Sequence, residues 1–133
     1  MPKPQPNICS ASCPSRHVLE LLAEKWAVLV IFRLRVKSHR TAELRREIGG
    51  VSEKMLIQTL RKLERYGLVA RHDYGEVPPR VDYELTKLGW SLSQPVEQLE
   101  RWVAKNIFEV LRAKERFDEK GAAKAAKRPR VAA

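Results

Sequence analysis

The chain has 133 residues, 44% of them hydrophobic, which fits a single compact domain with short tails and leaves little room for a second core. Its 26 lysine and arginine residues outnumber its 16 acidic residues and give a formal net charge of +10, so the expected partner is a polyanion, with nucleic acid first. The longest apolar run, residues 26–32, is too short to cross a membrane, and no charged and then apolar leader opens the chain, so we expect a cytoplasmic protein with no membrane partner.

The first third of the chain predicts a flexible arm followed by two helices. Prolines stand among polar residues in the arm, residues 1–12, and each proline removes a backbone hydrogen-bond donor. Pro14 suits the first turn of a helix that ends near Glu24. Residues 25–35 are mostly apolar and are compatible with a buried helix or a buried strand, and their length favours the helix.

A short helix and a longer helix follow, separated by a glycine turn. Residues 41–48 predict the short helix, which ends at the pair Gly49-Gly50 because glycine readily adopts the left-handed conformation that ends helices. Ser52 is a typical N-cap for the second helix, which is expected to run to about Tyr66.

The next segment predicts a β-hairpin with a projecting loop. Residues 69–74 and 80–85 are rich in residues that favour strands, and the second run alternates apolar and charged side chains. The residues between them, 75–79, are too many and too rich in proline for a two-residue turn. We therefore expect them to project into solvent as a wing.

The last helix carries an apolar stripe that is longer than a small domain can cover. Thr86 can cap this helix. Apolar residues then recur at intervals of three or four: Leu88, Leu92, Val96, Leu99, Val103, Ile107 and Val110. The stripe can pack on its own domain or on a second copy of the chain, and we expect it to do both in parts. The residues expected in the homodimer contact are Leu99, Trp102, Val103 and Ile107.

These elements together predict a mainly α-helical (α+β) fold with a small β-hairpin wing, the winged helix-turn-helix. We expect a flexible arm at residues 1–12, a DNA-binding and dimerisation domain at residues 13–112, and a disordered basic tail at residues 113–133. Residues 120–130 of the tail carry lysine and arginine and no acidic residue. The tail either adds sequence-independent affinity for DNA or only keeps the chain in solution.

The second helix of the motif has one cationic face. Leu56, Leu60 and Leu63 stack on one side of it, because residues three or four apart lie on the same side of a helix. The opposite side presents polar and cationic residues: Lys54, Gln58, Arg61, Lys62 and Arg65. The alternatives are contact with double-stranded DNA and an ordinary solvated face, and the excess of positive charge favours DNA.

The residues of this predicted interface differ in the contacts they suit. Gln58 and Lys54 lie where the helix would enter the major groove, and the two arginines further along reach bases or phosphates. Ser52 offers its hydroxyl and the free N–H groups of the helix start to a phosphate. Arg80, at the base of the wing, is expected to contact a phosphate or the minor groove.

Cys13 is the residue expected to sense a chemical signal. Because Pro14 begins the helix, the sulfur lies beside free N–H groups that favour the thiolate, and Arg16 and His17 are close in sequence. Such a thiol reacts with a small electrophile or oxidant, and the alternative is that Cys13 is only a small cap residue. Cys9, in the arm, is expected to act as its resolving partner.

Other chemistry is not predicted. Cys9, Cys13 and His17 recur at intervals of four but lack a fourth ligand, so neither a metal nor a cofactor is expected. His39 and His72 stand alone and are expected at the surface. No motif combines a nucleophile, a base and an orienting group, so we do not expect an enzyme. The alternative to a sequence-specific regulator is an architectural protein that binds DNA largely without sequence preference.

Short motifs between residues 13 and 105 carry a family resemblance: Cys13-Pro14, Lys25-Trp26, Glu43-Leu44-Arg45, Val51-Ser52-x-Lys54-Met55-Leu56, Leu60-x-x-Leu63-Glu64, Gly67-Leu68-Val69-x-Arg71, Glu76-Val77-Pro78-Pro79-Arg80-Val81-x-Tyr83-x-Leu85-Thr86 and Leu88-Gly89. They are similar to motifs of the HxlR family of bacterial winged-helix regulators, and the wing motif is the most specific of them.

The resemblance implies a homodimer held by the first and last helices, which binds an inverted-repeat operator and represses or activates neighbouring genes. In several regulators of this type the cysteine that matches Cys13 senses oxidants or electrophiles. Three positions depart from the family pattern, since Ala23 and Glu24 replace glycines and Thr41 replaces a phenylalanine. All three lie away from the predicted DNA face, so they bear on local packing.

Overall fold

The computed structural model describes residues 6–128, and within this range the chain forms five helices and three strands. In chain order these are α1 (Pro14–Ala23), α2 (Lys25–Leu34), β1 (His39–Arg40), α3 (Thr41–Glu47), α4 (Glu53–Arg65), β2 (Val69–Asp73), β3 (Val81–Leu85) and α5 (Lys87–Ala126). This order confirms the predicted mainly helical fold with a β-hairpin. The chain divides into two compact units, of which the first ends at Glu97 and the second begins at Gln98.

The apolar run after Glu24 is a helix, as its length predicts. Glu24 has extended backbone angles and serves both as the C-cap of α1 and as the N-cap of α2. The fully buried side chains of α2 include Ala27, Val30 and Ile31, which recur at helical spacing. They belong to the same core as the leucines of α4, so α2 forms the base on which α4 packs.

The hairpin belongs to a three-stranded antiparallel sheet with the strand order β1-β3-β2. The two predicted strands pair with Val69 opposite Leu85 and Asp73 opposite Val81. Strand β1 was not predicted, because its two residues are too few to show an alternating pattern.

The expectation that His39 lies at the surface is wrong, whereas His72 is exposed as predicted. His39 is 1% exposed, and its Nε2 lies 2.6 Å from Oε2 of Glu47 in α3. The same carboxylate oxygen lies 3.3 Å from Nε of Arg33 in α2. Pairing of β1 with β3 buries the ring, and Glu47 then joins the sheet to two helices.

The start of α5 is fixed against the junction of α4 and β2. Thr86 caps the helix as predicted, since its Oγ1 accepts the N–H of Gly89 at 3.0 Å and donates to the carbonyl of Gly67 at 2.6 Å. A Cβ atom added at Gly89 would lie 2.0 Å from the carbonyl oxygen of Leu68. Only glycine allows the helix to approach this closely without a shift of the backbone.

The C-terminal segment differs from expectation. We expected residues 113–133 to be a disordered basic tail, but α5 continues as a helix to Ala126. Alanine, lysine, arginine and glutamate dominate this segment and are among the best helix formers, which accounts for the difference. Residues 129–133 of the predicted tail and residues 1–5 of the predicted arm lie outside the described residues. Among residues 6–128, no helix is both long enough and apolar enough to cross a membrane.

Candidate nucleic-acid interface

The N-terminus of α4 is built by a glycine turn and a serine cap. Gly50 has a φ of +84°, in the left-handed region that the turn after α3 requires. The hydroxyl oxygen of Ser52 accepts the backbone N–H of Met55 at 3.1 Å, so Ser52 is the predicted N-cap. The N–H groups of Glu53 and Lys54 belong to the first turn and have no partner within the helix. They give the helix start a partial positive charge next to the exposed Ser52 side chain.

Helix α4 is sharply divided between a buried side and an exposed side. Leu56, Leu60 and Leu63 are fully buried, and Ser52 and the five residues predicted for the opposite side are all exposed: Lys54, Gln58, Arg61, Lys62 and Arg65. Lys62 differs from the others because its Nζ lies 2.8 Å from Oε1 of Glu24. The ion pair directs Lys62 towards the junction of α1 and α2, at the edge of the exposed side.

A cleft between α4 and the sheet extends this cationic side. Its lining residues come from α3, α4, β2 and β3: Thr41, Ile57, Arg61, Glu64, Arg71, Val81 and Tyr83. Arg71 was not among the predicted site residues. Its side chain is exposed and approaches Asp73 at 3.6 Å, an ion pair on the surface of β2. The sequence placed Arg71 in the predicted strand at residues 69–74 and in the motif Gly67-Leu68-Val69-x-Arg71, but neither indicates which way the strand turns its side chains.

Arg80 is held at the base of the wing by two neighbours. Its guanidinium lies over the ring of Tyr74, with Cζ 4.3 Å from the ring centroid, and its Nη2 lies 3.3 Å from Oδ2 of Asp82. The hydrogen bond and the charge of Asp82 raise the pKa of Arg80 above its ordinary value. Arg40 approaches the other oxygen of the same carboxylate at 3.6 Å, so two arginines share one acidic group.

Further cations lie on α3, next to the start of α4. Arg45 and Arg46 are exposed, and with Thr41, Ala42 and Glu53 they line a shallow depression. Arg45 approaches the Glu53 carboxylate at 3.8 Å. Neither arginine was predicted as a site residue, because the apolar pattern of so short a helix does not define its outer side.

Cys13 is the N-cap residue of α1 and is half-buried, while Cys9 is exposed, and both thiols are free. Interactions with the hydroxyl and then the backbone N–H of Ser15 lower the pKa of the Cys13 thiol below its ordinary value. The largest causes of this shift are hydrogen bonds and not the charge of a neighbouring side chain. Arg16 and His17 lie 3.6 and 4.0 Å from the carboxylate of Glu20.

The residues predicted for a homodimer contact lie in the second unit, which begins at Gln98 and contains the rest of α5. Leu99, Trp102 and Val103 are 56%, 57% and 44% exposed, and Ile107 is partly buried. Large apolar side chains that are this exposed usually mark a contact surface when they are contiguous.

A short helix, a glycine turn, an amphipathic helix with a cationic side and an antiparallel wing define a winged helix-turn-helix protein. The chain belongs to the HxlR family, because a family model described as HxlR-like helix-turn-helix matches residues 21–111. It is a DNA-binding transcriptional regulator of the helix-turn-helix type, as its relatives are named.

Relatives and solved structures agree with this assignment. The chain is 48% identical over 105 residues to the protein named HTH-type transcriptional regulator YtfH of Escherichia coli (strain K12), and the match covers 79% of this chain and 83% of YtfH. The structure of the transcriptional regulator YtfH from Salmonella typhimurium aligns with a TM-score of 0.79 and 44% identity, over 84% of this chain and 99% of that one. The redox regulator HypR in its reduced form aligns with a TM-score of 0.69 and 33% identity, over 75% and 98% of the two chains.

Proposed function

We propose that this chain binds an inverted-repeat operator as a homodimer and reads its sequence with α4. The observation that carries the proposal is the division of α4 into a fully buried leucine side and an exposed side with Lys54, Gln58, Arg61 and Arg65. A helix of this kind fits the major groove, where amide and guanidinium groups distinguish base pairs.

We assign different contacts to the residues around α4. Gln58 has a side-chain amide that can bond an adenine edge in two places, so it is the candidate for base recognition, with Lys54 beside it. Arg61 and Arg65 reach bases or phosphates further along the groove. Ser52 and the free N–H groups of the helix start bind a phosphate. Two other cations then bind the phosphate backbone of the DNA on either side of α4. They are Lys62, at the edge of α4, and Arg80, at the base of the wing.

The homodimer rests on the exposed apolar residues of α5. Leu99, Trp102, Val103 and Ile107 recur at helical spacing, and a second copy of the chain would cover them. Val18 and Leu19 of α1 are also exposed, at 37% and 50%, which supports a contact that involves the first helix as well. Two copies related by a two-fold axis present two α4 helices, which matches an inverted repeat.

We also propose that Cys13 makes operator binding responsive to oxidants or electrophiles. The lowered pKa of its thiol increases the fraction of thiolate, the form that donates an electron pair to an electrophilic carbon or sulfur. The likeness to HypR, which is named a redox regulator, supports the proposal. Cys9 is exposed, lies four residues before Cys13 in the sequence and is the candidate resolving thiol. The alternative is that Cys13 only caps α1.

Replacing Gln58 with alanine tests base recognition. We expect Gln58→Ala to weaken binding to a selected operator by about 1–3 kcal/mol and to leave binding to random duplex nearly unchanged. Arg80→Ala should weaken both if Arg80 holds phosphate. Gln94→Ala, which removes an exposed glutamine from α5, is the matched control and should change neither.

The measurement is a titration of labelled operator and random duplex, followed by fluorescence anisotropy at one salt concentration. Equal losses on both duplexes for Gln58→Ala would remove Gln58 from base recognition. A parent protein with the same affinity for both duplexes would contradict the proposed operator binding and favour an architectural protein.

A further inference from the structure

The last part of α5 and the two residues after it, together residues 112–128, lie beyond the part of the chain that matches the family model, which ends at residue 111. Every residue of this C-terminal segment is exposed, and the helix includes all of it up to Ala126. Because the segment is helical, its side chains point in fixed directions around one axis. Each charged side chain can therefore be assigned to one side of the helix.

Four cations of the C-terminal segment form a row along one side of the helix. Arg112, Arg116, Lys120 and Lys124 follow one another at intervals of four residues. Each interval advances about 6 Å along the axis and turns only about 40° around it, so the row is about 18 Å long. The residues from 120 to 128 include no acidic side chain, so the far end of the row has no nearby negative charge.

The pairing of charges separates this cationic row from the rest of the segment. Lys114 points to a different side of the helix and binds Asp118, with Nζ 2.8 Å from Oδ2. Within residues 6–128, none of the four cations of the row has a carboxylate within ion-pair distance. Like charges four residues apart on a helix repel one another, and no acidic residue lies three or four positions from Lys120 or Lys124 to offset this repulsion.

We propose that the cationic row binds the phosphate backbone of double-stranded DNA and reads no bases. This inference rests on the proposed function, since the DNA held by α4 is the polyanion that the chain would meet. A duplex segment about 18 Å long carries about ten phosphates, so the row has a dense counter-charge along its whole length. Cationic side chains that contact phosphate oxygens, and not the base edges in the grooves, neutralise the backbone without distinguishing sequences.

The neighbouring apolar residues support this choice of partner. The C-terminal segment has one large apolar side chain, Phe117, and a helix that lies in a membrane surface needs a continuous apolar face. Val103 and Val110, by helical phase, lie on a different side of α5 from the centre of the row. Trp102, the proposed contact residue that shares the phase of the row, lies ten residues before Arg112, or about 15 Å along the axis, so a second copy of the chain that covers it leaves the row open to DNA.

The test separates the position of the charges from their number. A removal variant carries Lys120→Ala and Lys124→Ala. An exchange variant carries the same two changes with Ala122→Lys and Ala125→Lys, which restores the net charge on nearly the opposite side of the helix. Both variants use only alanine and lysine, which are good helix formers, and circular dichroism should show unchanged helicity.

The measurement is the affinity of each protein for random duplex and for operator, between about 50 and 200 mM salt. The slope of log affinity against log salt should fall by about 0.9 for each phosphate that the protein no longer neutralises, or about 1.8 per chain, in both variants. The ratio of operator to random affinity should stay that of the parent. An exchange variant that behaves like the parent would show that only net charge matters and would overturn the proposal. Equal salt slopes for the parent, the removal variant and the exchange variant would overturn it as well.

The result also separates this proposal from the proposed function. Gln58→Ala should keep the parent slope and lose operator preference, the reverse of the two α5 variants. A parent without operator preference contradicts the role of α4, whereas unchanged slopes contradict only the cationic row. Binding to vesicles of anionic phospholipid that depends on the row, without any change in the duplex slopes, would assign the row to a membrane and overturn the proposal.

Discussion

Replacing Gly89 with alanine should destabilise the protein, although the same change usually stabilises a helix. Alanine is favoured over glycine inside a helix by about 0.8–1 kcal/mol, because glycine loses more backbone freedom on folding. At Gly89 the added Cβ would lie 2.0 Å from the Leu68 carbonyl oxygen and 3.2 Å from a methyl group of Leu85. The nearest atom is backbone, so α5 or the α4–β2 junction must move.

The movement also strains a hydrogen bond, because the carbonyl of Leu68 accepts the N–H of Thr86 at 3.1 Å. Overpacking of this kind costs about 1–3 kcal/mol, and the upper part of that range applies because the clash is with a backbone atom, which leaves a net cost of about 1–2 kcal/mol after the gain in helix propensity. We expect Gly89→Ala to lower the free energy of unfolding by about 1–2 kcal/mol and the Tm by about 4–8 °C.

Gly121→Ala is the matched control, since Gly121 lies in the same helix and its added Cβ would meet nothing within 4 Å. This variant should be as stable as the parent or more stable by up to about 1 kcal/mol. The assay is thermal and urea denaturation followed by circular dichroism, with all proteins at one concentration because dimerisation would shift the Tm. Gly89→Ala with a stability equal to that of Gly121→Ala would refute the close approach of α5 to Leu68.

Three further predictions concern assembly, signal and local stability. Val103→Asp should give monomers by light scattering at micromolar concentration, while Ala104→Asp, on another side of α5, should leave the dimer intact; a monomeric parent would contradict the proposed contact. A mild thiol oxidant should change operator affinity in the parent and in Cys9→Ser but not in Cys13→Ser, and a Cys13→Ser variant that responds like the parent would reduce Cys13 to a cap residue. Ser52→Ala should cost about 1 kcal/mol of stability through loss of its bond to the Met55 N–H, and an unchanged urea midpoint would show that this cap is not needed.

Local signals in the sequence were sufficient for most of the first unit. Proline at the start of α1, glycine after α3 and the serine cap of α4 act on the residues next to them. These helix limits could therefore be predicted from the local sequence. The division of α4 into two sides followed from its leucine spacing, since a 3.6-residue period fixes which residues are buried together.

The features that escaped prediction depend on residues distant in sequence. Strand β1 exists because it pairs with β3, and His39 is buried by the same pairing. Lys62 is drawn to Glu24, 38 residues away, which no helical pattern indicates. Arg71 lines the cleft beside α4 only because the sheet brings β2 next to that helix. The extension of α5 was missed for another reason: its charge suggested disorder, although its alanine and lysine content favours a helix.

The most direct test of sequence-specific recognition by α4 is selection of binding sites from a pool of random-sequence duplexes. The full chain is incubated with the pool, and bound duplexes are recovered and sequenced over several rounds. We predict enrichment of an inverted repeat whose two half-sites are about one helical turn, or about 34 Å, apart, and loss of that enrichment when the selection is repeated with Gln58→Ala. Recovery of bound duplexes without any enriched sequence would contradict the account and leave a protein that binds DNA through its charge alone.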